Sequence, residues 1–197
     1  MIYLYGGMAN PGVIFVIEHL EPRLSKWCMI EYKHISKVVK PRNLWFTNVV
    51  HPSKDLKCLG NVFSKPASTL PMERPCVLDP EAKKELLVDE KNAFSHLIIG
   101  GILGNDPPQK RTRELFDDRR VERRNLGSHQ MSTDTAVVVA QKILHGTPLS
   151  DMTFVDSIEV PLAKGESVIL PYRYLTDRGK VLLPLGLRRY LQSKRAF

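Results

Sequence analysis

Val13–Ile17 (VIFVI) is an unbroken run of β-branched and aromatic residues, preceded by the turn signal Asn10-Pro11-Gly12. A run of this kind, too short for a buried helix and apolar on both faces, reads as a strand covered on each side. From Pro22 the pattern turns helical. Leu24, Trp27, Cys28, Ile30, Ile35, Val38 and Val39 fall mostly on one face, Pro22 suits a first turn, and Pro41 closes the segment. Asn43–Val50 (NLWFTNVV) is the next strand. A chain that opens strand, helix, strand is committed to a parallel sheet with right-handed crossovers, so the fold class is α/β with a Rossmann-like, mostly parallel sheet.

The same reading continues downstream. It predicts a short helix around Ser53–Leu59 and a strand at Cys76–Leu78. Asp79 is expected as N-cap, with Pro80 opening a helix over Glu81–Leu87. Phe94–Ile99 (FSHLII) is a buried strand. A basic helix is expected around Arg111–Arg119 and a short strand at Arg123–Leu126. Ser132 or Thr133 caps a helix over Asp134–Leu144. Met152–Val160 and Ser167–Leu170 are strand candidates, Lys180–Leu183 pairs back across the turn Thr176–Gly179, and Leu185–Gln192 forms a last helix.

Size and composition narrow the function. At 197 residues the chain is read as a short extension, residues 1–12, and a single domain, residues 13–197. Its three cysteines, Cys28, Cys58 and Cys76, include no CxxC and no finger-like spacing to histidine, so no metal site is expected and the thiols fit a reducing compartment. No signal peptide or membrane-spanning run is read, and the protein is expected to be cytoplasmic. The formal net charge of +8 is uneven. Residues 125–170 carry −3, whereas residues 171–197 carry +6 with Asp177 as the lone acid. That segment can meet RNA phosphates or simply aid solubility.

Two loops carry the chemistry. Gly100–Asp106 (GGILGND) follows a buried strand. It lacks the GK[ST] of a phosphate loop and the GxGxxG of a dinucleotide site, so it is either a tight turn or a close approach to a ligand. Leu126–Thr135 (LGSHQMSTDT) is a strand end, a small-residue loop and a capped helix start, with backbone groups free for a small polar ligand. In an open α/β sheet ligands sit beyond the carboxyl ends of the strands, which places both loops on one pocket.

The runs FSHLIIGGILGNDPPQKRTREL (Phe94–Leu115) and ERRNLGSHQMSTDTAVVVAQKIL (Glu122–Leu144) resemble the SPOUT class of methyltransferases. VIEHLEPRLSKWCMIEY (Val16–Tyr32) and GESVILPYRYL (Gly165–Leu175) share the likeness, which is closest to a small archaeal and fungal family and spans roughly residues 13–190. The studied fungal member of that family methylates an arginine of a small-subunit ribosomal protein. The resemblance implies a C-terminal trefoil knot, S-adenosylmethionine (SAM) as cofactor, a ribosomal-protein arginine as methyl acceptor, and a monomer. By the same likeness, the cofactor would contact Leu78 and Asp79, then Gly100, Gly101, Leu103 and Gly104, then Leu126, Gly127, His129, Met131 and Thr133.

Methyl transfer to a guanidinium requires carboxylates that hold the cation and a group that takes its proton. Asp106, in the glycine loop, and Glu18, closing the first strand, are the catalytic candidates; Glu21, Asp79 and Asp134 are others. Each has an ordinary alternative, Asp106 as a turn cap and Glu18 as a strand-end charge. His19 and His129 are candidate bases or structural hydrogen bonders. Two other functions stay open: an RNA methyltransferase, on the basic C-terminus, and a non-catalytic ribosome- or RNA-binding module on the same fold.

Overall fold

The computed structural model describes residues 12–101, 121–162 and 165–193. The expected basic helix at Arg111–Arg119 and the first eleven residues lie outside them. β1 (Ile14–His19) is followed by α1 (Lys26–Val39), β2 (Leu44–Thr47), α2 (Lys54–Lys57), β3 (Asn61–Val62), β4 (Pro75–Leu78), β5 (His96–Gly101) and β6 (Glu122–Arg124). All these strands join one sheet, in the order β3-β2-β1-β5-β4-β6, and every pairing in it is parallel. The strands of the opening β-α-β unit are neighbours, as its pattern demanded.

α1 begins later than the helical pattern does. Ser25 is the cap, its Oγ accepting from Cys28 N at 3.1 Å, and Pro22 sits in the bend before the helix. Capping by a hydroxyl decides the start here, because a free N–H at this point would otherwise stay unpaired. Ser53 caps α2 in the same way.

The helix expected over Glu81–Leu87 is not formed. Asp79 closes a turn, accepting from Glu81 N at 2.9 Å. The chain then runs beside the segment after β6: Asn125 N donates to Lys84 O at 2.8 Å, and Leu86 N to Asn125 O at 3.0 Å. Backbone groups a helix would use are taken by this pairing, which also buries Leu86. The N-cap and proline signals were real but local, and the long-range pairing overrode them.

On one sheet face Phe15, Ile17, Leu97 and Ile99 pack with Cys28, Tyr32, Ile35 and Val39 of α1. Val137, Ala140 and Ile143 of α3 (Thr133–Leu144) join them. Each Ile or Leu buried to this extent contributes about 1.5–3 kcal/mol. On the other face Val16, Val77 and Ile98 meet Ala67 and half-buried Trp45. Trp27 is also half-buried.

After α3 the chain becomes antiparallel. The run Met152–Val160 is two strands, β7 (Thr153–Val155) and β8 (Ile158–Pro161), which belong to different sheets. The break falls at Asp156, whose carboxylate holds Arg173 Nε at 2.7 Å. β8 pairs with β9 (Ser167–Leu170); β10 (Tyr174–Asp177) pairs with β7 and with β11 (Lys180–Val181). Arg178 and Gly179 both take positive φ in the two-residue β10–β11 turn. α4 (Leu187–Ser193) lays Leu187 and Leu191 into a second core with Val160, Leu170, Tyr172 and Tyr174.

Gly101 ends β5 opposite His19. A β-carbon built on it would lie 2.8 Å from Ile17 Cγ2 and from Tyr32 Oη, and 3.0 Å from Glu18 O. The close fit of α1 onto β1 and β5 therefore depends on the missing side chain. Gly101→Ala is expected to lower the free energy of unfolding in urea by about 1–3 kcal/mol, the usual cost of an over-packed core.

Candidate functional site

The parallel strands end on one edge of the sheet, and a cleft opens there. Its wall is built from Leu78 and Asp79 at the end of β4, Pro80, Ile99 and Gly100 of β5, Leu126, Gly127 and His129–Met131 after β6, and Thr133 and Ala136 of α3. It encloses about 600 Å³ with its open mouth included, within the range of small-molecule sites.

Local bonds fix each part. Asp79 is buried, accepts Arg123 Nη1 at 2.9 Å and donates its own N–H to Arg124 O at 2.9 Å. Asn125 Oδ1 accepts from Gly127 N at 2.9 Å, and Gly127 has φ +88°, a conformation that favours glycine. Thr133 Oγ1 donates to Gly100 O at 3.3 Å, tying α3 to β5. Arg173 N donates to Gln130 O at 2.8 Å, and Met131 bridges Arg173 in parallel fashion, so the segment before β10 holds the loop from behind. Gln130 Oε1 is buried with no partner. Below this, Arg124 grips Glu90 through Nε and Nη2 at 2.6–3.0 Å and Glu122 through Nη1 at 2.8 Å. Those bonds raise its already high pKa and lock β6 in place.

Leu78, Asp79, Gly100, Leu126, Gly127, His129, Met131 and Thr133, each singled out from sequence, share this one wall. Gly101 does not, since it faces Ile17 and Tyr32. Leu103, Gly104 and Asp106 lie outside the described residues. Glu18 points to the other sheet face, where its Oε2 accepts from Thr47 Oγ1 at 2.5 Å and Ala67 N at 2.8 Å. Burial raises its pKa, and those two bonds oppose the rise. His19 is buried too, bonded to Tyr32 Oη at 2.9 Å, and burial lowers its pKa.

Pro80, Ile99, Gln130 and Ala136 on the wall were not foreseen. A carboxylate pair beside α3 was foreseen only in part. Asp134 is 1% exposed and meets His34 Nδ1 at 2.9 Å and Ser132 Oγ at 2.8 Å. Glu31, 5% exposed, accepts from Trp27 Nε1 at 2.7 Å. Burial, then the charge of Asp134, pushes the Glu31 carboxyl well above the usual range. The same two acids, after burial, raise Tyr174. One sequence signal marks Glu31: it is an acid within the apolar stripe of α1, one turn after Trp27 and one turn before Ile35.

Comparison with known proteins identifies the family. A family model described as protein arginine N-methyltransferase SFM1-like matches residues 14–196. Protein arginine N-methyltransferase SFM1 of Saccharomyces cerevisiae is 33% identical over 196 residues, covering 88% of this chain and 91% of that protein. The crystal structure of the yeast arginine methyltransferase SFM1 complexed with SAM superposes with a TM-score of 0.84 at 31% identity, over 92% of this chain and 90% of that one. The same enzyme complexed with MTA gives 0.77 at 31% identity, over 90% and 99%.

Because the folded-state pKa of Glu31 is raised, its contribution to stability is full below its unfolded value, near 4.5, and is lost as pH rises through the folded value. Glu31→Gln keeps an acceptor for Trp27 and removes the ionisation. Its thermal midpoint is expected to exceed that of the parent at pH 7–8, with the difference closing as the pH falls towards 4.5. Parallel midpoint curves across that range would show that Glu31 does not titrate as described.

Proposed function

The chain belongs to the SFM1-like family of protein arginine N-methyltransferases, and on that premise we propose that it moves the methyl group of SAM to an arginine of a small-subunit ribosomal protein. The observation that carries this reading is the cleft at the carboxyl edge of the sheet, walled by eight of the residues that the resemblance assigns to the cofactor. The wall fits such a group. Leu78, Ile99, Leu126, Met131 and Ala136 offer apolar surface for a base and a thioether, backbone at Gly100 and Gly127 allows close approach, and Gln130 Oε1 is an acceptor in want of a donor.

Bound SAM supplies an electrophilic methyl on a sulfonium; the protein has to place a nucleophilic nitrogen in line with it and manage charge. Asp134 of α3 and Glu31 of α1 lie together between the two helices; a guanidinium brought beside them would favour their charged forms and find an acceptor for the proton it releases on methylation. Asp106 is proposed as the carboxylate of the glycine loop. Glu18, held by Thr47 and Ala67, serves instead to fasten β2 and the Ala67 turn to β1.

The strand order supports a trefoil knot, since the chain leaving β5 must cross to the far side of β4 to form β6 before Leu126–Met131 is captured by Arg173. Exposed Arg178, Lys180, Arg188 and Arg189 give a basic surface for RNA contact near a ribosomal substrate. A cytoplasmic monomer is the proposed working form, in keeping with the free thiols of Cys28, Cys58 and Cys76.

The test is to incubate the protein with methyl-labelled SAM and small ribosomal subunits, then separate protein from RNA. Label is expected on one protein and, after hydrolysis, on methylarginine. Label confined to RNA would replace this reading with an RNA methyltransferase, and absence of both labelling and SAM binding would favour a non-catalytic module.

A further inference from the structure

α1 shows solvent one kind of residue. Of its 14 positions only Lys26, Lys33 and Lys37 are exposed. At about 100° per residue the three fall within about 40° of one another, so they form one stripe along the outer side of the helix. The acids of the helix layer do not offset them at the surface: Glu31, the one acid of α1, and Asp134, the one acid of α3, are both buried. Among the described residues none of the three lysines forms an ion pair; Lys26 Nζ lies 5.6 Å from the centre of the Tyr190 ring. Tyr190 belongs to α4, whose Arg188 and Arg189 are exposed as well, so the positive surface continues onto α4.

This arrangement does nothing for the helix itself. Lys26 stands in the first turn, where the macrodipole favours an acid, and Lys33 and Lys37 are a like-charge pair one turn apart, which weakens a helix. A face kept for solubility alone would mix both signs. A protein interface or a membrane surface would call for aromatic or apolar anchors, and the exposed residues of α1 include none. A phosphate backbone needs no such anchor, because Lys and Arg contacts alone supply its binding. We propose that the outer face of α1, continued by Arg188 and Arg189, is a docking surface for the phosphate backbone of RNA. The choice of RNA among polyanions rests on the proposed ribosomal substrate; the surface itself shares no residue with the cleft wall and stands without that reading.

The experiment follows the fluorescence anisotropy of a labelled oligouridine titrated with the full chain, without SAM, from about 50 to about 200 mM salt. One variant combines Lys26→Gln, Lys33→Gln and Lys37→Gln. A control of equal net charge combines Lys65→Gln, Lys83→Gln and Lys84→Gln, exposed lysines on other segments. The α1 variant is expected to bind about tenfold more weakly or worse at the lowest salt. Its slope of log K against log salt should be shallower by about 2, at about 0.7 for each lost phosphate contact. The control should keep the parent's slope, and the thermal midpoint of the α1 variant should equal or exceed the parent's, since a like-charge pair is gone. If the triple variant fails to fold, the three single variants carry the test, each with a slope shallower by about 0.7. Equal weakening in the control would make this an effect of net charge and overturn the proposal. So would parent-like RNA binding by the α1 variant, or no RNA binding by the parent. Binding of polyglutamate more tightly than oligouridine, with the same dependence on the α1 lysines, would replace RNA with an acidic protein partner. No methyl donor takes part, so failure here leaves the methyltransferase reading standing, and failure of methylation leaves this test intact.

Discussion

Everything in this protein follows from six strands running the same way. β1 lies in the middle of the order, paired to β2 along Phe15–Glu18 and to β5 along Ile14–His19, so the ends of β1, β2 and β5 reach the same height. A parallel sheet must be covered on both faces and can be open only at its edges and strand ends. The apolar faces are accordingly sealed by α1 and α3 on one side and by the Ala67 turn and its neighbours on the other. What stays accessible is the carboxyl edge, where Asp79, Gln130 and Thr133 line the cleft.

Polar groups within the fold are of two kinds. Glu18 and Arg124 are saturated by fixed partners, and they work as fasteners between strands and turns. Glu31 and Gln130 are costly where they stand, the first as a buried acid beside Asp134, the second as an acceptor with nothing to accept. Gln130 lies on the cleft wall, and Glu31 packs beside Asp134 of the helix that forms part of that wall.

Most strands and helices were legible because their signals are local and dense; β3 (Asn61–Val62), two residues long, was not. The run Val13–Ile17, the helix start at Ser132 and the Arg178-Gly179 turn each depend on a few adjacent residues. Misreadings arose where distant partners decide. Asp79-Pro80 has the look of a helix start, yet Asn125 takes the backbone that helix would use. Met152–Val160 reads as one strand, yet Arg173 pulls Asp156 out and splits it. Gly101 was grouped with the ligand glycines; the structure adds that a side chain there would meet Ile17 Cγ2 and Tyr32 Oη. The site was largely legible through its small residues. Glu31 escaped because helical periodicity files it with the core, and Gln130 because nothing about a glutamine in a loop shows that its oxygen will be stranded.

The bond from Arg173 to Gln130 also sets an order of events. β1 and β5 can pair once residue 101 exists, but the wall formed by Leu126–Met131 has no backing until the segment ahead of β10 has been made and folded against it. In the order of synthesis, the wall is therefore completed only after residue 173 has been made. A chain cut short before Arg173 would keep its β1–β5 pairing and still lack a finished binding wall, so binding itself certifies that the whole path has been completed.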